Sequence, residues 1–231
     1  MKFSYKITIA LVLLIATGFY ISTVIDKLKV DEMPEPKLIG AEEEHKAKPQ
    51  NEEVSIFISA VGDIIVHTPM IAASKKYDGT HDFTKLFSDI KPYIEKTVIS
   101  MCNFETTIGK PYSGYPRFRS PAEIVDSLKH IGFDILTTAN NHCMDFYKQG
   151  LVNTVKEIRK REIGQTGTFI SKSDRNKNGV LFIEAKGIKL AVIAYTFGCN
   201  GIEASASGDN LNYLVNLSSN EQAIDGDIEK A

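Results

Sequence analysis

The chain has 231 residues, 43% of them hydrophobic and 24% charged, with 27 basic side chains against 29 acidic ones. That composition excludes collagen-like, wholly disordered and disulfide-scaffold classes, and it leaves room for one large domain or two small ones. A net charge of -2 gives no reason to expect a nucleic-acid partner.

Lys2 and Lys6 precede a run from Ile7 to Ile25 that contains no charged residue. About 19 helical residues span most of a ~30 Å hydrocarbon core. Positive charge ahead of the run predicts a transmembrane signal-anchor over residues 1–25, with the rest of the chain outside the cytoplasm. A cleaved signal peptide and a buried helix are the competing readings. Residues 26–53 hold five Lys and nine Asp/Glu together with Pro34, Pro36 and Pro49. So polar a segment cannot bury enough surface to offset the entropy of ordering it, and a charged flexible linker is expected there.

A folded domain is expected over residues 54–231. Val54 to Val66 is a nearly continuous apolar stretch, which predicts a strand buried on both faces. Asp89 to Ile94 reads as a short helical piece broken by Pro92, and Thr97 to Phe104 as a second strand. Ser120-Pro121-Ala122-Glu123 has the form of a helix start, with serine as cap, proline at the first position and glutamate completing the box. Ile124, Val125, Leu128 and Ile131 then fall on one helical face, and Gly132 closes the helix. Phe133 to Thr138 is a third predicted strand, and Asp145 to Arg161 a second helix with Leu151, Val152, Val155 and Ile158 inward. Val180 to Glu184 and Lys189 to Tyr195 read as two strands joined through Lys186-Gly187. Alternating strands and helices argue an α/β sandwich with a mostly parallel sheet. Cys102, Cys143 and Cys199 form no CxxC pair and read as small buried hydrophobes, although one disulfide and a free thiol stay open.

Three predicted strands end in polar clusters: Gly62-Asp63, Asn103-Phe104-Glu105, and Asn140-Asn141-His142 with Asp145. Sites in α/β proteins form where the carboxyl ends of neighbouring strands meet the following loops. Asn103 and Glu105, two residues apart in an extended segment, point the same way. Carboxylate, carboxamide and imidazole together are a ligand set for Mn, Fe or Zn, whose bound water becomes a nucleophile near neutral pH. Taken singly, an Asp or Asn at a strand end is a turn or cap residue. His67, four residues after Asp63, reads as a surface histidine with a secondary claim to the site. Three clusters at three successive strand ends favour a site.

Ala60-Val-Gly-Asp-Ile-Ile65, Asn103-Phe-Glu-Thr-Thr107, Ala139-Asn-Asn-His142 with Asp145, and Ala194-Tyr-Thr-Phe-Gly198 resemble the capsule-synthesis CapA family. The resemblance runs from about Ile56 to Ala231 in motif order. It implies a metallophosphoesterase-like layered α/β sandwich, preceded here by the anchor helix, and a part in poly-γ-glutamate capsule biosynthesis or export. It further implies Asp63, Glu105 and Asn141 as ligands of a divalent metal (Mn, Fe or Zn), with His142 as the acid/base. Asn103, Asp145 and His67 are further site candidates, while Arg117 and Arg119 would meet a substrate carboxylate or phosphate. Implied partners are the membrane, poly-γ-glutamate or a related anionic polymer, and the membrane subunits of a capsule synthase. Two departures stand out. Ile65 occupies the place of a motif histidine, and no histidine follows Tyr195, where the family carries further histidine ligands. The chain therefore reads as an incomplete, C-terminally shortened version of the fold. A non-catalytic assembly subunit and an inactive fragment are the alternative readings.

Overall fold

A computed structural model describes residues 53–206 and 211–231. The expected anchor at residues 1–25 and nearly all of the expected linker at 26–53 lie outside the described residues. Among the described residues no helix is long and apolar enough to cross a membrane.

Four strands form a wholly parallel sheet: β1 (Ile58–Ile64), β2 (Ile99–Phe104), β5 (Ile135–Thr137) and β6 (Gly164–Thr166), in the order β1-β2-β5-β6. The mixed α/β architecture with a parallel sheet at its core is thus present. Two short strands, β3 (Thr107–Ile108) and β4 (Arg119–Ser120), pair separately, and β7 (Leu181–Ala185) with β8 (Ile188–Val192) makes an antiparallel hairpin. Its turn is the expected Lys186-Gly187, with both residues at positive φ (50° and 79°), as a two-residue hairpin turn requires.

Helices α1 (Thr68–Ser74) and α2 (Lys91–Ile94) are short, α3 spans Glu123–Ile131, and α4 spans Tyr147–Lys160. The apolar face of α3 (Ile124, Val125, Leu128, Ile131) is fully buried against Cys102, Phe104 and Leu136 of the sheet, with Ile158 of α4 in the same core. Gly132 ends α3 in the left-handed region (φ 111°), and its N–H bonds the carbonyls of Leu128 and Lys129. A second apolar cluster holds Cys143, Met144, Leu151, Val155, Cys199, Leu214 and Val215. Helices α5 (Lys172–Asn178), α6 (Leu211–Leu214) and α7 (Glu221–Lys230) complete the described chain. A buried ion pair of Arg175 with Asp227 (2.6 Å), joined by the Tyr195 hydroxyl donating to Asp227 (2.7 Å), ties α5 to α7.

Two sequence expectations are corrected. The Val54–Val66 stretch is not buried on both faces. Among the described residues β1 is the edge strand of its sheet; Ile58, Ala60 and Val61 are exposed, and only Ile64 and Val66 of the stretch are buried. Ser120 does not cap α3. It lies in β4, paired with Ile108, where its hydroxyl donates to the Thr107 carbonyl (3.3 Å), and α3 begins three residues later. Strand pairing claims the serine before the helix can use it.

Gly167 follows β6 with φ 106°, and a Cβ placed there would fall 2.6 Å from the backbone nitrogen of Ala139. Only glycine permits the β6 exit to approach the turn carrying Asn140, Asn141 and His142 this closely.

Candidate functional site

The site begins with a register irregularity. β1 pairs with β2 residue for residue until Val61↔Cys102, and the next pair is Asp63↔Asn103, so Gly62 is an extra residue on β1. Such a bulge re-aims the following side chain, and it sets Asp63 beside Asn103. The Asn103 amide donates to Asp63 Oδ1 and to Glu105 Oε2, both at 2.8 Å. Asn140, arriving from the end of β5, donates to Asn103 Oδ1 (3.1 Å) and to the Phe104 carbonyl (2.9 Å). Two carboxylates and two carboxamides from three adjacent strands thus form one network. Glu105 is 7% exposed; burial and then the Asp63 charge hold its carboxyl above the ordinary range.

A second group adjoins the first. Asn140 Oδ1 accepts the backbone N–H of His142 at 3.1 Å. His142 Nδ1 lies 2.9 and 3.1 Å from the two oxygens of Asp145. Asp145 is 1% exposed and also accepts the Phe118 N–H. Burial raises its carboxyl pKa, opposed by the Phe118 N–H and by His142. With Nδ1 committed to Asp145, the imidazole is oriented and Nε2 has no hydrogen-bond partner among the described residues. An aspartate that orients a histidine in this way prepares its other nitrogen for proton transfer.

A cleft of about 350 Å³ opens over this pair, lined by Tyr115, Arg117, Asn141, His142, Asp145 and Asn200 among others. Arg117 stands exposed at its rim, donating to the Tyr147 hydroxyl (3.2 Å) with its guanidinium 5.4 Å from that ring. A larger cleft of about 480 Å³ lies elsewhere, between α5 and α7. There Arg175 is already paired with Asp227.

The structure brings Asp63, Asn103 and Glu105 together, and beside them His142 and Asp145. Asn141 makes no bond to this network in the structure: its amide donates to Asn200 Oδ1 (3.3 Å), whereas its neighbour Asn140 bonds Asn103. His67 sits across Phe118 from His142; the Phe118 ring meets the two imidazoles edge-on at 4.8 and 4.6 Å. Arg119 is away from the cleft, its guanidinium donating to the Lys110 carbonyl (2.6 Å) and stacked 3.9 Å from Phe146. Asn200, also 3.4 Å from His142 Nδ1, escaped sequence reasoning. Its only signal was an Asn-Gly turn dipeptide, which the structure realises with φ 53° at Asn200.

Fold and site together define a parallel-sheet α/β protein with an acid–amide–histidine site at its strand ends. Residues 57–231 match the family described as bacterial capsule synthesis protein PGA_cap, and the chain belongs to that family. It is similar to the PGA biosynthesis protein CapA of Bacillus subtilis (strain 168), 27% identical over 164 residues covering 68% of this chain and 41% of that one. It is also similar to the capsule biosynthesis protein CapA of Bacillus anthracis, 23% identical over 154 residues, 64% of this chain and 36% of that one. The match therefore spans well under half the length of either relative.

Among the described residues, the only donors brought together here that suit a hard cation are two carboxylates, and the Asn103 amide nitrogen bonds both of them. Asp63 and Glu105 are hard oxygen donors on neighbouring strand ends, and a cation between them would relieve the repulsion that now helps to raise Glu105. No group of three or more His, Cys, Asp or Glu able to hold a metal occurs among the described residues.

Proposed function

We propose that this chain is a membrane-anchored, extracytoplasmic capsule-synthesis protein acting on poly-γ-glutamate or a related anionic polymer, through a metallophosphoesterase-like site. The observation that carries this reading is the meeting of the Asp63–Asn103–Glu105 network with the His142–Asp145 pair at adjacent strand ends, in a chain of the capsule-synthesis family. Asp63 and Glu105 would hold a divalent cation, which when bound supplies Lewis acidity and an activated water. Asn103 orients the carboxylates, and Asn140 holds Asn103 in place. Asp145 holds His142, which lines the cleft, by Nδ1 and leaves Nε2 to give or take a proton. Arg117 at the rim meets a carboxylate or phosphate of the polymer. The uncharged run from Ile7 to Ile25 behind Lys2 and Lys6 supports the anchor.

A second reading, favoured by the absence of a three-residue metal group among the described residues, is a polymer-handling or assembly role beside the membrane subunits of a synthase. Metal content and hydrolysis of bis(p-nitrophenyl) phosphate by the full chain, with and without Asp63→Ala, separate the two. The enzymatic reading expects both to fall about tenfold or more, the scale of losing a metal ligand's support. Unchanged metal content overturns it. Co-purification with synthase subunits that survives Asp63→Ala then supports the assembly role.

A further inference from the structure

Cys143 lies in the turn between β5 and α4, with its N–H on the Asn140 carbonyl (3.3 Å). Cys199 lies in the loop after β8, with its N–H on the Glu203 carboxylate (3.0 Å). The two residues are 56 positions apart in sequence, yet their sulfurs are 3.6 Å apart. Both are buried, at 6% and 0% exposure, in the second apolar cluster. A disulfide bond is about 2.05 Å long, so the sulfurs need to close by roughly 1.5 Å, within reach of side-chain rotation. Cys102 belongs to the first core, on β2, and does not compete. Each cysteine of the pair neighbours a cleft residue: Cys143 follows His142, and Cys199 precedes Asn200. The contacts that join these loops directly, Asn141 to Asn200 at 3.3 Å and Asn200 to His142 at 3.4 Å, are long and made by exposed or half-exposed side chains.

The geometry points to a disulfide between Cys143 and Cys199 that clamps the Asn200 loop onto the Asn141–His142 turn. This goes beyond the proposed activity and does not depend on it. The Cys199 thiol alongside, together with burial, pushes the Cys143 thiol well above its ordinary pKa. Thiolate is scarce once the cluster has closed, so the bond forms while the chain folds. The electron pair passes to a small-molecule disulfide such as oxidised glutathione. Two protein S–H bonds break and one S–S bond forms, while the glutathione S–S bond is cleaved and its two thiols carry away the two protons.

The test uses the full chain, refolded in detergent with oxidised and reduced glutathione, then denatured without reductant, alkylated, digested and mapped by mass spectrometry. The expected result is the loss of two of the three alkylatable thiols, with Cys143 and Cys199 in one linked peptide pair and Cys102 alkylated. Three alkylatable thiols, or a link through Cys102, overturns the proposal. Cys102→Ser must keep the link, and Cys143→Ser must return Cys199 to alkylation; the wild-type map decides the bond even where a variant fails to fold. Amide exchange in residues 196–202 should be faster in the reduced protein, and equal exchange in both forms removes the clamping role.

Discussion

β1 and β2 pair in parallel and are both rich in apolar side chains, yet they occupy opposite environments. Ile58 and Ile99 are register partners, the first 44% exposed and the second 1%. β2 lies between β1 and β5 beneath α3, whereas β1 has a strand on one side only among the described residues. Apolar composition records that a strand can be buried. Whether it is buried depends on which elements reach it, and that is a property of topology. The two strands converge only at their carboxyl ends, where Ile64 and Phe104 are both covered and the site residues begin.

The comparison can be pressed hardest at Phe104, which is 1% exposed. Phe104→Ala should cost about 3–5 kcal/mol, because the cavity it leaves lies in a close-packed core. A urea midpoint shift worth less than about 1 kcal/mol would mean that β2 is no better packed than β1. Next comes Glu105, one residue on. Its raised carboxyl pKa favours the protonated form in the folded chain, so stability falls as pH climbs from the ordinary carboxylate range through the raised value. Glu105→Gln keeps an acceptor for Asn103 and removes that loss. In chelator the variant should be the more stable protein at pH 8, with the margin closing towards pH 4; an equal margin at both pH values would break the argument. The smallest effect belongs to Ile58→Ala, expected within about 0.5 kcal/mol of the parent. A larger loss would show that β1 is covered in solution.

Much of this was legible in the residues, and for identifiable reasons. α3 and α4 announce themselves because Ile124, Leu128 and Ile131, then Leu151, Val155 and Ile158, repeat at helical spacing and are all buried. The meeting of Asp63, Asn103 and Glu105 was legible because they sit at strand ends. β6 was not, since Gly164-Gln165-Thr166 has no apolar signature; it is held by polar bonds, Gln165 donating to Thr138 Oγ1 (2.7 Å) and to the Thr168 carbonyl (2.9 Å). That Asn140 bonds Asn103 while Asn141 bonds Asn200 turns on the direction of two adjacent side chains. Asn200 reaches His142 from 58 residues away, a proximity that only the folded chain creates.

The close approach at Gly167 carries a consequence for mutational tolerance. Any side chain there would press on Ala139, and the displacement would pass along the same short turn to Asn140 and His142. A substitution at a residue that touches no ligand would then present in a screen as a lesion of the acid–amide–histidine site. Sorting such a variant from a true site variant requires asking whether Glu105 still titrates as in the parent, rather than whether function is lost.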